Sequence, residues 1–268
     1  MNRNTLKIKT SLLISTYNWP EALELVLLSI EKQTVLPDEV LIADDGSTDD
    51  TKKIIEDFKK RINLKVNHVW HEDKGFRKSI ILNKALAKAD GEYIIQSDGD
   101  CILDSYFVED HINFSEPNVY LYGSRVSILK DFVKVLFKNK NISFNYFSKG
   151  ISSRSRAIRI PLFSSFYKPK NELSRKLRGC NVSYWKKDFI KVNGFNEDMT
   201  GWGREDSELI ARIMNIGILG KRIRYSGIVF HLWHKINSKH NFNKNDSIQK
   251  KVIEKKIQWC ENGVNKYL

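Results

Sequence analysis

Along the first hundred residues, short apolar runs alternate with stretches whose apolar positions recur at helical spacing. Ser11–Ser15 reads as a strand that STYNWP breaks. From Pro20, Leu23, Val26, Leu27 and Ile30 fall at i, i+3, i+4 and i+7, one face of a helix. Glu39–Ala43 predicts a second strand. It leads through DDGSTDD into a helix carrying Ile54, Ile55 and Phe58, with Ser47 or Thr48 as its cap. A third strand is expected near Leu64–Trp70, a helix over Ser79–Ala89, and a buried strand over Tyr93–Ser97. This alternation predicts an α/β fold with a mostly parallel central sheet and helices on both faces. Ligands of such sheets collect beyond the carboxyl ends of the strands, so the loops STYN, ADDGS and SDGD should meet in one crevice.

Beyond Asp104 the pattern is less regular. Val119–Ile128 reads as a strand pair or one long strand. Lys130–Arg159 sets aromatic residues among lysines and arginines, as a membrane- or acceptor-facing flap or as a partly buried helix and loop. A short helix is expected near Tyr184–Val192 and a clear one over Asp206–Asn215, stopping at Gly217. Lys221–Trp233 reads as strand, and Asp246–Leu268 as a lysine-rich amphipathic helix.

Composition narrows the class. With 41% hydrophobic and 29% charged residues in 268, the chain is an ordinary folded protein with enough length for a sizeable core. A formal charge of +13 points to an anionic partner, whether nucleic acid, acidic membrane surface, nucleotide or acidic polymer. Three scattered cysteines form no CxxC pair, which argues against a disulfide framework or zinc site and for a reducing compartment. The apolar run within MNRNTLKIKTSLLIS is too short for a secretion signal, and nowhere do ~18 apolar residues run uncharged. A cytoplasmic protein, soluble or peripherally attached to the membrane, is expected.

The candidate chemistry is acidic. Asp98 and Asp100 flank Gly99 where a strand ends, and two carboxylates so placed repel unless a cation sits between them. Mn²⁺ or Mg²⁺ would supply that charge and hold a diphosphate; a plain Asp-Gly turn is the alternative. Asp44 and Asp45 suit either ligand binding or compensation of the following helix dipole. The pair Glu205–Asp206 opens a helix too, but dipole compensation does not explain the preceding Gly-Trp-Gly.

SLLISTYNWPEALELVLLSIEKQTVLPDEVLIADDGSTDDT resembles the opening of family 2 glycosyltransferases, and GEYIIQSDGDCI resembles their DxD motif. GCNVSYWKKDFIKVNGFNEDMTGWGREDSELIARIMNIG is similar to the C-terminal segment of galactosyltransferases and chondroitin-type polymerases. The resemblance implies a GT-A (nucleotide-diphospho-sugar transferase) fold. It also implies an inverting, metal-dependent transfer of a hexose or N-acetylhexosamine from a UDP-sugar to a glycan or lipid-linked glycan. Surface polysaccharide or lipooligosaccharide synthesis is the expected setting.

By that resemblance Thr16, Tyr17 and Asn18 line the nucleoside pocket, and Asp45 accepts a uracil N–H. Asp98 and Asp100 bind metal and diphosphate, with His231 as third ligand and His234 as its rival; Mn²⁺ suits such a set. Asp206 is the base, and Glu205 holds the acceptor with Gly201, Trp202 and Gly203. The family's Ala-Arg-Asn triplet reads Ile81-Leu82-Asn83 here, so Arg77 or Lys78 would replace the missing arginine beside Asn83. A catalytic domain over 1–245 follows, with a nucleotide-binding half (10–104), an acceptor-binding half (105–245) and a tail helix over 246–268.

Other classes fare worse. Nucleotidyl transfer would want a glycine-rich, basic loop where STYNWP stands, and acidic clusters without a nucleic-acid-binding signature argue against nucleic acid. A catalytically inactive subunit of the same fold is the remaining alternative.

Overall fold

Strands in this chain are apolar on both faces because helices cover both. The computed structural model describes residues 8–235 and 240–268, so part of the N-terminal signal reading, residues 1–7, lies outside the described residues. The first half follows the expected alternation. It runs β1 (Thr10–Thr16), α1 (Pro20–Glu31), β2 (Glu39–Asp44), α2 (Asp49–Arg61), β3 (Lys65–Trp70), α3 (Lys78–Ala87) and β4 (Tyr93–Asp98). Leu13, Leu41 and Ile94 pack on one side of the sheet with Leu82, Leu86 and Ile210. Leu12, Ile14, Val40 and Ile42 pack on the other with Leu23, Val26 and Phe58.

The chain continues through β5 (Cys101–Leu103), α4 (Phe107–Asn113), β6 (Val119–Tyr122) and β7 (Ser124–Ile128). Next come α5 (Lys130–Asn139), β8 (Ile151–Ser152), α6 (Pro161–Ser164), β9 (Val182–Trp185) and α7 (Lys186–Lys191). It closes with α8 (Glu205–Asn215), β10 (Leu219–Arg222), β11 (Ile228–His231) and α9 (Phe242–Glu254). Seven strands form the main sheet in the order β10-β6-β9-β4-β1-β2-β3. β4, β1, β2 and β3 run parallel, and β9 is antiparallel to both its neighbours. A second sheet has the order β5-β11-β7-β8. The result is the GT-A arrangement, α/β with a mixed sheet between helices.

Four expectations change. Val119–Ile128 is a pair whose members belong to different sheets, broken at Gly123. Lys221–Trp233 likewise divides, through a turn in which Tyr225 takes φ 71°. The two breaks correspond: β6 pairs with β10 in one sheet and β7 with β11 in the other, so both chains change sheet together. The helix expected near Tyr184–Val192 starts only at Lys186, because Val182–Trp185 is a strand wedged between β4 and β6, and four residues are too few to carry a readable period. The tail helix starts earlier and stops at Glu254, after which Val264 enters the core beneath α3.

Lys130–Arg159 resolves into α5, a loop and β8, with Val133, Leu136 and Phe144 buried against Phe230 and the second sheet. Tyr146 and Phe147 stay exposed. Among the described residues no helix is long and apolar enough to cross a membrane.

Candidate functional site

The parallel strands β1, β2 and β4 end at one rim and deliver Thr16–Asn18, Asp45, Asp98 and Asp100 to a cavity of about 750 Å³. Trp202, Glu205 and Asp206 close it from the start of α8, and His231 and His234 from the end of β11. Segments more than a hundred residues apart in sequence thus share one cleft.

Around Asp45 and Asn18 the polar groups are tied down. Asp45 accepts the Arg77 backbone N–H at Oδ2 (2.8 Å), and its Oδ1 lies 2.7 Å from His71 Nε2. Burial nonetheless pushes its pKa above the usual carboxylate value. Asp44 accepts the Ser47 N–H (2.8 Å) and lies 2.8 Å from His68 Nε2; α2 starts after Thr48 with no side-chain cap from Ser47 or Thr48. Asn18 is locked by two bonds: its N–H donates to Ser47 Oγ (2.9 Å), and its Oδ1 accepts from Thr48 N–H (2.9 Å). The Tyr17 hydroxyl donates to Asp73 (2.8 Å) on the facing loop.

Asp98 departs from its expected role. Its Oδ1 accepts from Ser15 Oγ (2.6 Å) and Lys78 Nζ (2.8 Å). Burial resists its charge, but Lys78 and Ser15 prevail and hold its pKa below the ordinary value. Burial also opposes the charge on Lys78, and Asp98, Asp206 and Glu205 outweigh it, raising that pKa well above normal. Lys78 is therefore a fixed cation between the two carboxylate groups of the cleft.

A group that could hold a metal ion is Asp100, His231 and His234, whose candidate ligating atoms all lie within 4.8 Å of one another. Asp100 Oδ2 is 3.5 Å from His231 Nε2 and 3.4 Å from His234 Nε2. Both histidines belong to this group, not one or the other, and Asp98 does not. One carboxylate and two imidazoles suit Mn²⁺ better than Ca²⁺.

Asp206 sits in the first turn of α8. That helix is fixed by the buried pair Arg212–Glu208 (2.7 Å), with Arg212 also donating to the Gly194 carbonyl (2.7 Å). Glu205 accepts the Gly203 N–H (3.0 Å). Asp206 Oδ1 is buried without a partner, and burial, reinforced by Glu205, pushes the Asp206 pKa up to about 7. Gly179 makes room for it: a Cβ there would lie 2.0 Å from Asp206 Oδ2.

Four expected ligand residues face elsewhere. Asn83 is fully buried, donating to the Phe195 carbonyl (2.8 Å) and Glu197 (2.9 Å), so its amide is spent on packing. Arg77 gives its backbone N–H to Asp45 and turns its guanidinium to the Glu72 carbonyl. Gly201 and Gly203 have φ of 73° and 108°, and their open sides face Asn241 and Phe242, not the cavity. The helix expected as a tail thus shapes the loop around Gly201 and Gly203, and Asn245 bonds the Gly203 carbonyl (3.0 Å). Arg125, Arg178 and Lys235 line the cleft unforeseen. Arg178 adjoined the GCNVSYW motif, which was a usable signal; Arg125 had none.

Comparison with known proteins agrees with this geometry. The glycosyl transferase family 2 model matches residues 11–170, and a model described as N-terminal domain of galactosyltransferase matches 160–235. Validoxylamine A glucosyltransferase of Streptomyces hygroscopicus subsp. limoneus is 29% identical over 78% of this chain, and chondroitin synthase of Escherichia coli 28% over 77%. The chain spans only 48% and 32% of those proteins' lengths. Among solved structures, a mannosyltransferase from Pyrobaculum calidifontis in complex with GDP-Man and Mn²⁺ aligns with TM-score 0.61 at 18% identity, over 91% of this chain and 62% of that one. S. aureus TarS in complex with UDP aligns with TM-score 0.62 at 18% identity, over 90% and 64%. With its opening, its strand-end aspartates and its Glu205–Asp206 segment in one cleft of a GT-A fold, the chain belongs to glycosyl transferase family 2.

Proposed function

We propose that the protein is an inverting, metal-dependent glycosyltransferase. It moves a hexose or N-acetylhexosamine from a UDP-sugar to a hydroxyl of a glycan or lipid-linked glycan, in bacterial surface polysaccharide or lipooligosaccharide synthesis. The observation that carries this reading is the pairing, in one cleft, of a buried carboxylate with pKa about 7 and an Asp100–His231–His234 donor set.

Thr16, Tyr17 and Asn18 hold the nucleoside. Asp45, already bonded at both oxygens, keeps lone pairs that can accept the uracil N–H. Asp100, His231 and His234 would hold a divalent ion, which would supply positive charge against the departing diphosphate. Asp206, as carboxylate, takes the proton of the acceptor hydroxyl while that oxygen attacks the anomeric carbon opposite the diphosphate. The new C–O bond forms as the bond to the diphosphate oxygen breaks, and the electron pair leaves on UDP. A base whose pKa lies near neutrality suits this task, and no second carboxylate is needed as nucleophile. Lys78 offsets part of the repulsion between Asp98 and Asp206 in the same cavity.

The test is release of UDP from a panel of UDP-sugars offered to purified protein with Mn²⁺, with and without chelator. Chelator-sensitive turnover of at least one sugar is expected. No turnover, together with no metal-dependent thermal stabilisation by UDP, would defeat the proposal. The +13 charge and the exposed Phe147 support a peripheral place at the cytoplasmic face of the membrane. Co-sedimentation with anionic vesicles tests that part; recovery in the supernatant counts against it.

A further inference from the structure

The acceptor side of the cleft carries arginines that the transfer chemistry does not use. Elsewhere Arg159 pairs with Asp110 (2.6 Å), Arg204 with Asp246 (2.7 Å) and Arg212 with Glu208 (2.7 Å). Arg125 and Arg178 line the same cavity as Asp206; Arg178 Nη1 donates to the Arg175 and Leu177 carbonyls, and neither arginine forms a salt bridge among the described residues.

They are the inner end of a longer track. Arg156 donates through Nη1 to the Arg125 carbonyl (3.1 Å), and Arg224 through Nη2 to the Ser155 carbonyl (3.4 Å). Arg222 stands opposite Tyr122 where β10 and β6 end, and its buried Nε has no partner. Among the described residues these three also lack a carboxylate. Burial and the fields of Arg125 and Arg156 hold the Arg178 pKa below its ordinary value, and burial with Arg224 and Arg156 does the same for Arg222. The guanidiniums are close enough to repel one another, and a bound anion relieves that repulsion.

The donor diphosphate does not account for the whole track. Of the five arginines, Arg125 is the one whose field bears on His231 in the metal donor set. The others are supplied by the 3₁₀ turn at Arg154–Arg156, the segment before Gly179, and the end of β10 with the turn beyond it. A row of guanidiniums from several segments fits a ligand with repeated carboxylates or phosphates, each met by a two-pronged donor.

We propose that this track binds the anionic groups of an extended acceptor glycan, carboxylate or phosphate, and leads its terminal hydroxyl to Asp206. The inference rests on the transferase reading and names the chemistry of its acceptor.

The experiment uses the full chain with UDP and Mn²⁺ saturating, so that the diphosphate position is filled. Binding is measured for oligogalacturonate, for its carboxyl-reduced neutral counterpart, and for an oligo(glycerol phosphate). At least one anionic oligomer should bind about tenfold or more tighter than the neutral one, with an affinity that falls as salt rises. Which of the two binds assigns the anion as carboxylate or phosphate. Combined Arg156→Gln and Arg224→Gln should weaken that oligomer about tenfold while UDP affinity holds, and Arg156→Lys with Arg224→Lys should restore part of it. UDP affinity and thermal stability report whether the variants are folded.

Equal binding of the neutral and both anionic oligomers overturns the inference. So does a parallel loss of UDP affinity, which would give the arginines to the donor, or a loss confined to adhesion on anionic vesicles, which would give them to a lipid surface. Failure of UDP itself to bind with Mn²⁺ removes the transferase reading, and is seen before any oligomer is added.

Discussion

The two rims of the cleft are built under opposite local conditions. On the nucleotide rim every carboxylate is satisfied. Asp45 is held by His71 and the Arg77 amide, Asp98 by Ser15 and Lys78, and the Gly99 N–H is bonded to the Ser15 carbonyl (2.7 Å). On the acceptor rim Gly201, Gly203 and Arg204 all adopt positive φ, and Asp206 keeps a buried oxygen without a partner. Positive φ occurs on both rims, at Asn18 and Gly46 on the first and at Arg204 on the second, so what separates them is the pairing of their polar groups. α9 holds the second rim in place through Asn245 and Phe242. The unpartnered carboxylate oxygen lies where the base is proposed, as expected of a group that must stay available.

The sharpest break of this contrast is Asp206→Asn. It should lower transfer by ~10²–10⁴-fold while Mn²⁺-dependent UDP binding persists, because the base is removed and the nucleotide rim untouched. Steady-state transfer and UDP titration read the two separately. An equal fall in UDP affinity would mean the rims are not independent.

The same contrast explains what could be read in the sequence. The nucleotide rim rests on local periods, so β1, α1, β2 and β4 and the loops between them were legible to within a residue or two. The acceptor rim rests on partners far along the chain. Asn83 is claimed by Glu197 and by Phe195, 114 and 112 residues away, and no pattern around Ile81–Asn83 announces either. The glycines of GWG read as an approach to sugar, yet their open sides are filled by a helix that begins at Phe242. Asp98 and Asp100 look alike in SDGD, but His231 and His234 gather around Asp100 while Lys78 and Ser15 hold Asp98. Where one strand breaks and both halves change sheet, as at Gly123, periodicity cannot say which sheet each half joins.

Asp100→Ala tests the boundary between the rims. With Asp100 gone, two histidines remain, and the added thermal stability that UDP gains from Mn²⁺ should vanish. At ligand about a hundredfold over Kd that stabilisation is ~2.7 kcal/mol. An unchanged metal response would move the ion elsewhere, to Asp98 in particular.

Gly179→Ala should cost less but is more local. The added methyl would overlap the Asp206 carboxylate, at 2.0–2.1 Å from its atoms. We expect ~1–3 kcal/mol of destabilisation and a fall in transfer of about tenfold, with UDP affinity kept. A fall in UDP affinity as large as that in transfer would show the nucleotide rim moving too.

The remaining effect bears on stability and not on transfer, and it measures what burying the Asp206 carboxylate costs the fold. Asp206 has a folded pKa of about 7 against 3.8 in the unfolded chain. Between those values the folded protein holds a proton that the unfolded chain has released. Stability therefore falls as pH rises through this window and levels off above it. A carboxamide cannot titrate, so the Asp206→Asn variant escapes the loss. Free of metal and nucleotide, its melting temperature relative to the parent should climb from about pH 4 to about pH 7, by ~2–4 °C for each kcal/mol recovered. Glu205→Gln removes the carboxylate that adds to burial in raising this pKa, and should move the transition to lower pH. A difference that stays flat with pH would mean Asp206 is charged throughout, with a carboxylate as settled as Asp98, and the two rims would then be electrostatically alike.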